Sequence, residues 1–426
     1  MPNQFNSPEG DLENYFVSEY WLIDQYVGDT LWGWGLNSTN GRVGNNSPTG
    51  SGSFSTPVTT SAGGSNWKQI STAFSGSSAI KTDGTLWVWG SNGNTQLGGF
   101  VGGLTSSVCT PITTFGGGTN WKQCSSGGYS TAAIKTDGTL WVWGAGSSGE
   151  LGNNVSTAGA SNRCTPVTTF VGGTNWKQVS CGTQFMAAIK TDGTLWTWGN
   201  NAHGTLGINL LGVATSRCTP VTTFIGGTNW KQVSCGVINL SLQTLGVGIL
   251  TATSAAAIKT DGTLWTWGSN SLGQLGINLA TAGTNARCTP VTTFIGGTNW
   301  KSVSSGGGAM AAIKTDGTLW IWGNNSGNLG DNTILTRLTP VTTFIGGTNW
   351  KSVASGISRT SAIKTDGTLW VWGLNANAQL GTLSNQSIVC TPVTTFIGGS
   401  NWKQVSGSLF TSHAITSGTD PTSFVS

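Results

Sequence analysis

Of the 426 residues only 8% are Asp, Glu, Lys or Arg, about a third of the share in an average soluble domain, so solubility must rest on Ser, Thr, Asn and the backbone. The net charge of +4 is split unevenly: the first 29 residues carry six acids (Glu9, Asp11, Glu13, Glu19, Asp24, Asp29) and no base, and the basic surplus lies on the rest. The sequence has no arginine-rich cluster or basic-aromatic stripe, which argues against a nucleic-acid partner, and no apolar run of the length that spans a bilayer.

The chain opens on a segment unlike the remainder. Between Glu13 and Val27 it gathers Tyr15, Phe16, Tyr20, Trp21, Leu22, Ile23 and Tyr26. So many rings need cover, either on the body of the chain near its ends or on a partner, and residues 1–28 are expected to be an anchoring segment. Met1–Gly10 lacks basic residues and an apolar core, so no secretory leader is expected.

From Thr30 onward one phrase governs the sequence. Seven copies of L-W-x-W-G, from the pair Trp32/Trp34 to Trp370/Trp372, follow one another at intervals of 55, 54, 55, 69, 55 and 50 residues. Seven copies of N-W-K, from Trp67 to Trp402, interleave with them, and of the 22 tryptophans only Trp21 stands outside both. Such a period marks a stacked or radial repeat. Short Val/Ile/Thr/Trp runs bounded by Gly, Asn and Asp predict strands, and the D-G of K-T-D-G-T predicts a tight hairpin of the primed type. In L-W-V-W the Trp87/Trp89 face and the Leu86/Val88 face are both apolar, so each strand needs cover on both sides, as in a ring of radial sheets. The expected fold is therefore all-β: a seven-bladed β-propeller of four-stranded antiparallel blades spanning residues 29–418, followed by a tail at 419–426. The last unit stops after a strand around His413, while the first begins at L-W-G-W-G. The closing blade is thus expected to be shared, with the C-terminus supplying its inner strands and the N-terminus its outer ones.

Eight cysteines fall on repeat positions. Cys164/Cys181 and Cys218/Cys235 are spaced for a hairpin disulfide, but the strand assignment places them in successive blades. Free, mostly buried thiols are expected, with assembly in a reducing compartment. The lysines are stamped out by the repeat, seven in N-W-K and six in A-I-K, and are expected to be solvated charges that discourage edge pairing.

Variation between units is confined to the loop after W-G and to the short segment before A-I-K. The latter offers Phe74, Tyr129, Phe185, Met186, Met310, Arg359 and Phe410, with an insertion at 237–251 in the fourth unit. Loops on a rigid scaffold usually carry binding residues, so these seven are the candidate loop-face binding residues. No catalytic constellation, metal-ligand cluster or cofactor motif is present. Two histidines (His203, His413), no C-x-x-C and no G-K-[ST] loop leave only Glu150 or Asp331 as carboxylates for glycoside chemistry. The expectation is a non-enzyme without cofactor or metal.

The phrase G-T-L-W-V-W-G-S-N-x-x-x-Q-L-G, followed by T-P-V and V-S-x-G, resembles the regulator of chromosome condensation repeat over residues 30–416. That resemblance implies a seven-bladed propeller with a shared closing blade. The functions of the family diverge: nucleotide exchange, β-lactamase inhibition and ultraviolet sensing. None transfers here, since the G-W-R-H-T phrases of the photoreceptor are absent and the two histidines lie in unrelated places. The near-identical T-P-V-T-T-F-I-G-G-T-N-W-K arrays are similar to those encoded by tailed phages of marine bacteria. That likeness implies a virion structural or adhesion protein, assembled in the host cytoplasm. Residues 1–28 would hold it to other virion proteins, and the loop face would meet a host receptor or glycan; a homo-oligomer within the particle is also expected. The alternatives are an intracellular regulator or inhibitor that caps a target with the same face, and a carbohydrate-binding propeller.

Overall fold

The structure, a computed structural model, describes residues 28–418 except 38–40, 48–51, 62–63, 75, 99–107, 114–117, 156–162, 212–214, 238–252, 280–285 and 409. The expected anchor at 1–27 and tail at 419–426 lie outside the described residues.

Each repeat begins as a hairpin. In the first, Lys81 N–H donates to Thr85 C=O at 3.1 Å and Gly84 N–H to Lys81 C=O at 3.0 Å, with Gly84 at φ +81°. The loop is the three residues Thr82-Asp83-Gly84, the T-D-G of the expected hairpin, but the turn is not of the primed type: only the last residue needs the left-handed conformation. A Cβ on Gly84 would lie 2.0 Å from the Thr119 carbonyl oxygen, so the position is closed to other residues. Asp83 Oδ1 accepts the Thr85 N–H and hydroxyl, and Thr85 Oγ1 in turn accepts the Trp87 indole N–H at 2.8 Å. Turn and first tryptophan are therefore locked together.

Four such strands make a blade. Blade I runs outward as Trp67–Thr72, Gly76–Lys81, Leu86–Gly90 and Val108–Thr113. Blades II to VI repeat it over 121–168, 176–222, 230–292, 300–342 and 350–394. The seventh blade orders Trp402–Gly407, Thr411–Thr416, Thr30–Leu36 and Ser53–Thr59 from the axis outward, so the closing blade is shared between the two ends of the chain as expected.

Neighbouring blades are pinned by the second tryptophan of each pair. Its indole N–H donates to a loop carbonyl of the preceding blade at 2.8–3.0 Å, as in Trp143 to Gln96 and Trp34 to Gln379. The loop glycine that follows lies directly against this ring: a Cβ on Gly98 would sit 2.6 Å from Trp143 Nε1. The first tryptophan meets the N-W-K tryptophan edge-on, and the A-I-K lysine lies over both; Lys81 Nζ is 4.8 Å from the Trp67 centroid and 4.5 Å from that of Trp87. These six lysines are half-buried cation–π partners, not the solvated charges expected. The N-W-K lysines are exposed, as expected.

The innermost strand of each blade is a sheet edge, and its free backbone groups need partners. Side chains of the preceding blade supply them. Gln69 Nε2 donates to Cys124 C=O and Gln69 Oε1 accepts Cys124 N–H, both at 3.0 Å. Gln123, Gln178, Gln232 and Gln404 repeat this clamp. A serine two residues on, such as Ser71, accepts a further N–H from the next blade. Blades V and VI carry Ser302 and Ser352 where the others have Gln, and both hydroxyls are buried without a hydrogen-bond partner. Blade VI also has Ala354 where the others have the accepting Ser, so the seam between it and the closing blade has neither device.

Candidate interaction surface

Because the strands alternate in direction, the two ends of the ring differ. One end, the turn face, bears the T-D-G turns and the T-F-I-G-G connections that lead to the next blade. The other, the loop face, bears the segments before the second strands and the long loops after W-G. All thirteen lysines lie at the turn end, and all six arginines start strands or occupy loops at the loop end.

The structure divides the seven loop-face candidates. Phe74, Tyr129 and Phe410 lie in the connecting segments and are half-buried. Phe74 and Phe410 meet across the seam between blade I and the closing blade, with centroids 5.5 Å apart. The Arg42 guanidinium lies 5.4 and 4.9 Å from the two ring centres, and burial lowers its pKa to about 10. Burial also raises that of the Tyr129 phenol.

The other four need correction. Phe185 and Arg359 are the first residues of second strands, and Met186 and Met310 the second, directly opposite Trp198 and Trp322. All four are at most 2% exposed. They fill interblade space, and of the four only Phe185 borders an open cleft of the loop face. Arg359 donates to the carbonyls of Ser408, Gln379 and Thr411 and to the Ser412 hydroxyl. It therefore bolts blade VI to the closing blade at the seam that lacks the other devices, and burial lowers its pKa to about 9. The signal available in the sequence was the coincidence of Arg359 with Ser352 and Ala354 in one unit.

The loop face holds two open clefts among the described residues, one of mixed and one of mainly polar lining. One, of about 200 Å³, is lined by Gln184, Phe185, Asn200, His203 and Thr253; the other, of about 340 Å³, by Asn375, Thr382, Leu383, Ser384 and Asn385. Near the axis, residues of different blades such as Ala73, Val237 and Gly306 line one pocket of about 20 Å³.

Among the described residues no group of three His, Cys, Asp or Glu could hold a metal ion, and no helix is long and apolar enough to cross a membrane. Glu150 is buried in the position where blades I, IV and VI have Gln, and burial raises its pKa. Asp331 is 2.7 Å from the Arg337 guanidinium. Burial works against its charge, but hydrogen bonds from Thr333 and Arg337 and the Arg337 charge hold its carboxyl below the usual range. Neither serves as a free acid for glycoside chemistry. His413 is buried between Thr72 Oγ1 and the Val43 carbonyl, and desolvation lowers its pKa to about 3. The inner-strand thiols Cys124, Cys181 and Cys235 are buried and free, with pKa values raised by desolvation, the first two to about 12. Cys218, Cys288 and Cys390 are free and half-buried.

A family model described as the regulator of chromosome condensation (RCC1) repeat matches residues 137–189, 192–237 and 261–313, and a second of the same description matches 176–205. The ultraviolet-B receptor UVR8 of Arabidopsis thaliana is 28% identical over 309 residues, 70% of this chain and 61% of the receptor, so the chain spans less than two thirds of that relative. The crystal structure of human WBSCR16 superposes with a TM-score of 0.75 at 18% identity, covering 92% of this chain and 99% of that one. Prp20p of Saccharomyces cerevisiae gives 0.75 at 16% identity, covering 99% and 97%. At those identities the likeness is one of fold.

Proposed function

We propose that this chain, a seven-bladed propeller of regulator of chromosome condensation repeats, is a non-catalytic platform that binds a protein partner through its loop face. The observation that carries this reading is the asymmetry of the ring. The turn face repeats nearly the same residues blade after blade, whereas the loop face differs between blades, with the Arg42-Phe74-Phe410 cluster, half-buried Tyr129 and two open clefts. Recognition needs a surface that is not symmetric, and a rigid scaffold lowers the entropic cost of presenting one. Among the fold's neighbours, Prp20p is described with binding to Gsp1p and histones, which are protein partners.

The test is cross-linking of the purified chain in lysate of its source, with the cross-linked residues mapped by mass spectrometry. Links concentrated at the loop face, and lost in Phe74→Ser/Phe410→Ser but not in exposed turn-face variants, support the reading. Links spread evenly over both faces refute it.

A second reading, a virion component held to other virion proteins by residues 1–28 and meeting a host receptor or glycan through its loop face, rests on the near-identity of the repeat copies and on that aromatic segment. Mass spectrometry of purified particles decides it: the 43.9 kDa chain is either present at defined stoichiometry or it is not.

A further inference from the structure

The turn face is left unused by the loop-face reading, yet it carries the strongest charge pattern on the molecule. The seven N-W-K lysines are all exposed and ring the axis, and the six A-I-K lysines lie just outside them between their indoles. The acids described at this end are the six turn aspartates and Asp29, so the face keeps a positive surplus. At its rim, Phe170, Phe224, Phe294, Phe344 and Phe396 are each more than half exposed. A positive centre with a lysine from every blade, inside a rim to which five blades bring an exposed phenylalanine, is unusual for a surface that does nothing.

The same chain carries the complement. Residues 1–27 hold five acids and no base, together with Tyr15, Phe16, Tyr20, Trp21 and Tyr26. The described chain also begins on this face. The Asp29 carbonyl accepts the Trp67 N–H at 3.0 Å, and the Asp29 carboxylate lies 2.5 Å from Lys403 Nζ, so the acid next to the segment already pairs with one of the ring lysines. Twenty-seven residues reach about 90 Å when extended, ample to cross the ring. Tethering also raises the local concentration of the segment to about the millimolar range.

We propose that residues 1–27 dock back onto the lysine-bearing turn face of their own molecule, carboxylates toward the N-W-K lysines and rings toward the rim phenylalanines. A free polyanion would match the lysines but would leave the phenylalanine rim and the acids of the segment without partners. The proposal does not depend on the loop-face reading.

Zero-length carbodiimide cross-linking of the full chain tests it, with the Asp29–Lys403 pair as internal control. The expected result is links from Glu9, Asp11, Glu13, Glu19 or Asp24 to N-W-K lysines within the monomer. In a mixture of light and heavy isotope-labelled chains these links stay within one label. Links that cross labels place the segment on a second copy and overturn the proposal; so does a control link without any from the segment. In parallel, chymotrypsin cleavage between Tyr15 and Tyr26 should quicken about tenfold on raising salt to about 0.5 M, where exposed charge pairs are screened. It should quicken similarly in the full-length K122Q/K177Q/K231Q variant, whose exposed side chains the fold does not need. Cleavage insensitive to both overturns the proposal.

Discussion

The seam between blade VI and the closing blade offers a direct test of how the ring is held. Replacing Ser352 by Gln installs the clamp that five other seams possess. By the geometry of Gln69 on Cys124, the new side chain would donate to the Val405 carbonyl, accept the Val405 N–H, and replace a hydroxyl that is buried without a partner. Two hydrogen bonds contribute about 1 kcal/mol each, and fixing a glutamine costs about 1–2 kcal/mol of rotamer freedom. Relief of the orphaned hydroxyl brings the expected gain to about 1–2 kcal/mol. Adding Ala354→Ser should contribute about 1 kcal/mol more. The reverse change, Gln69→Ser, should cost a similar amount. Urea midpoints for the four proteins provide the measurement, read with two probes because a ring of repeats need not unfold in one step. If Ser352→Gln leaves the midpoint unmoved while Gln69→Ser lowers it, side-chain clamps do not account for the cohesion of this seam and the reasoning fails. Arg359→Met, which removes the bolt, should be less costly in the S352Q/A354S background than in the native one.

Other outcomes follow from single positions. Gly98→Ala should destabilise by about 3 kcal/mol, because its Cβ would meet the Trp143 ring at a φ of +62°, whereas Gly226→Ala, at φ +58° with nothing within 4 Å, should cost only the backbone strain of about 1 kcal/mol; the two thermal midpoints decide it. Burial raises the Glu150 pKa, so its stabilising contribution is complete below the unfolded value near 4.3 and is lost as pH rises through the folded value. Glu150→Gln should therefore gain on the native protein in urea midpoint from about pH 4 to pH 8, and a constant difference would count against it. His413 behaves oppositely. With a folded pKa of about 3, its contribution is complete above about pH 6.5 and is lost as pH falls. By linkage the native protein should lose about 2–3 kcal/mol between about pH 6.5 and 4.5 that a His413→Gln variant does not.

The blade count, the strand order and the shared closing blade were legible in the sequence because each repeat carries its own turn signal and paired indoles. A local signal repeated seven times leaves little freedom. What escaped lies between repeats. The Gln69–Cys124 clamp joins residues about one full period apart, and nothing in either phrase marks the other. The loop-face candidates failed at Phe185, Met186, Met310 and Arg359 for a related reason. Sequence variation at the start of a second strand looks like loop variation, but there the side chains fill the gap to the next blade. Gly33 and His413 show the same effect. They face each other across the strands of the closing blade, where other blades pair a Val, Thr or Ile with Ala or Ser, as in Val142 with Ala132. Bulk has changed strands, and only the register reveals it.

The meeting of Thr30 with Thr416 as cross-strand neighbours has a topological consequence. In blade I the corresponding strands are joined by Thr82-Asp83-Gly84, so one such tripeptide linking Thr416 directly to Thr30, in a chain trimmed to residues 30–416, would turn the polypeptide into a covalent circle. That circle could be cut at any of the six other turns. A family of circular permutants follows, identical in shape and differing only in which blade bears the nick, so the cost of breaking the ring could be measured blade by blade.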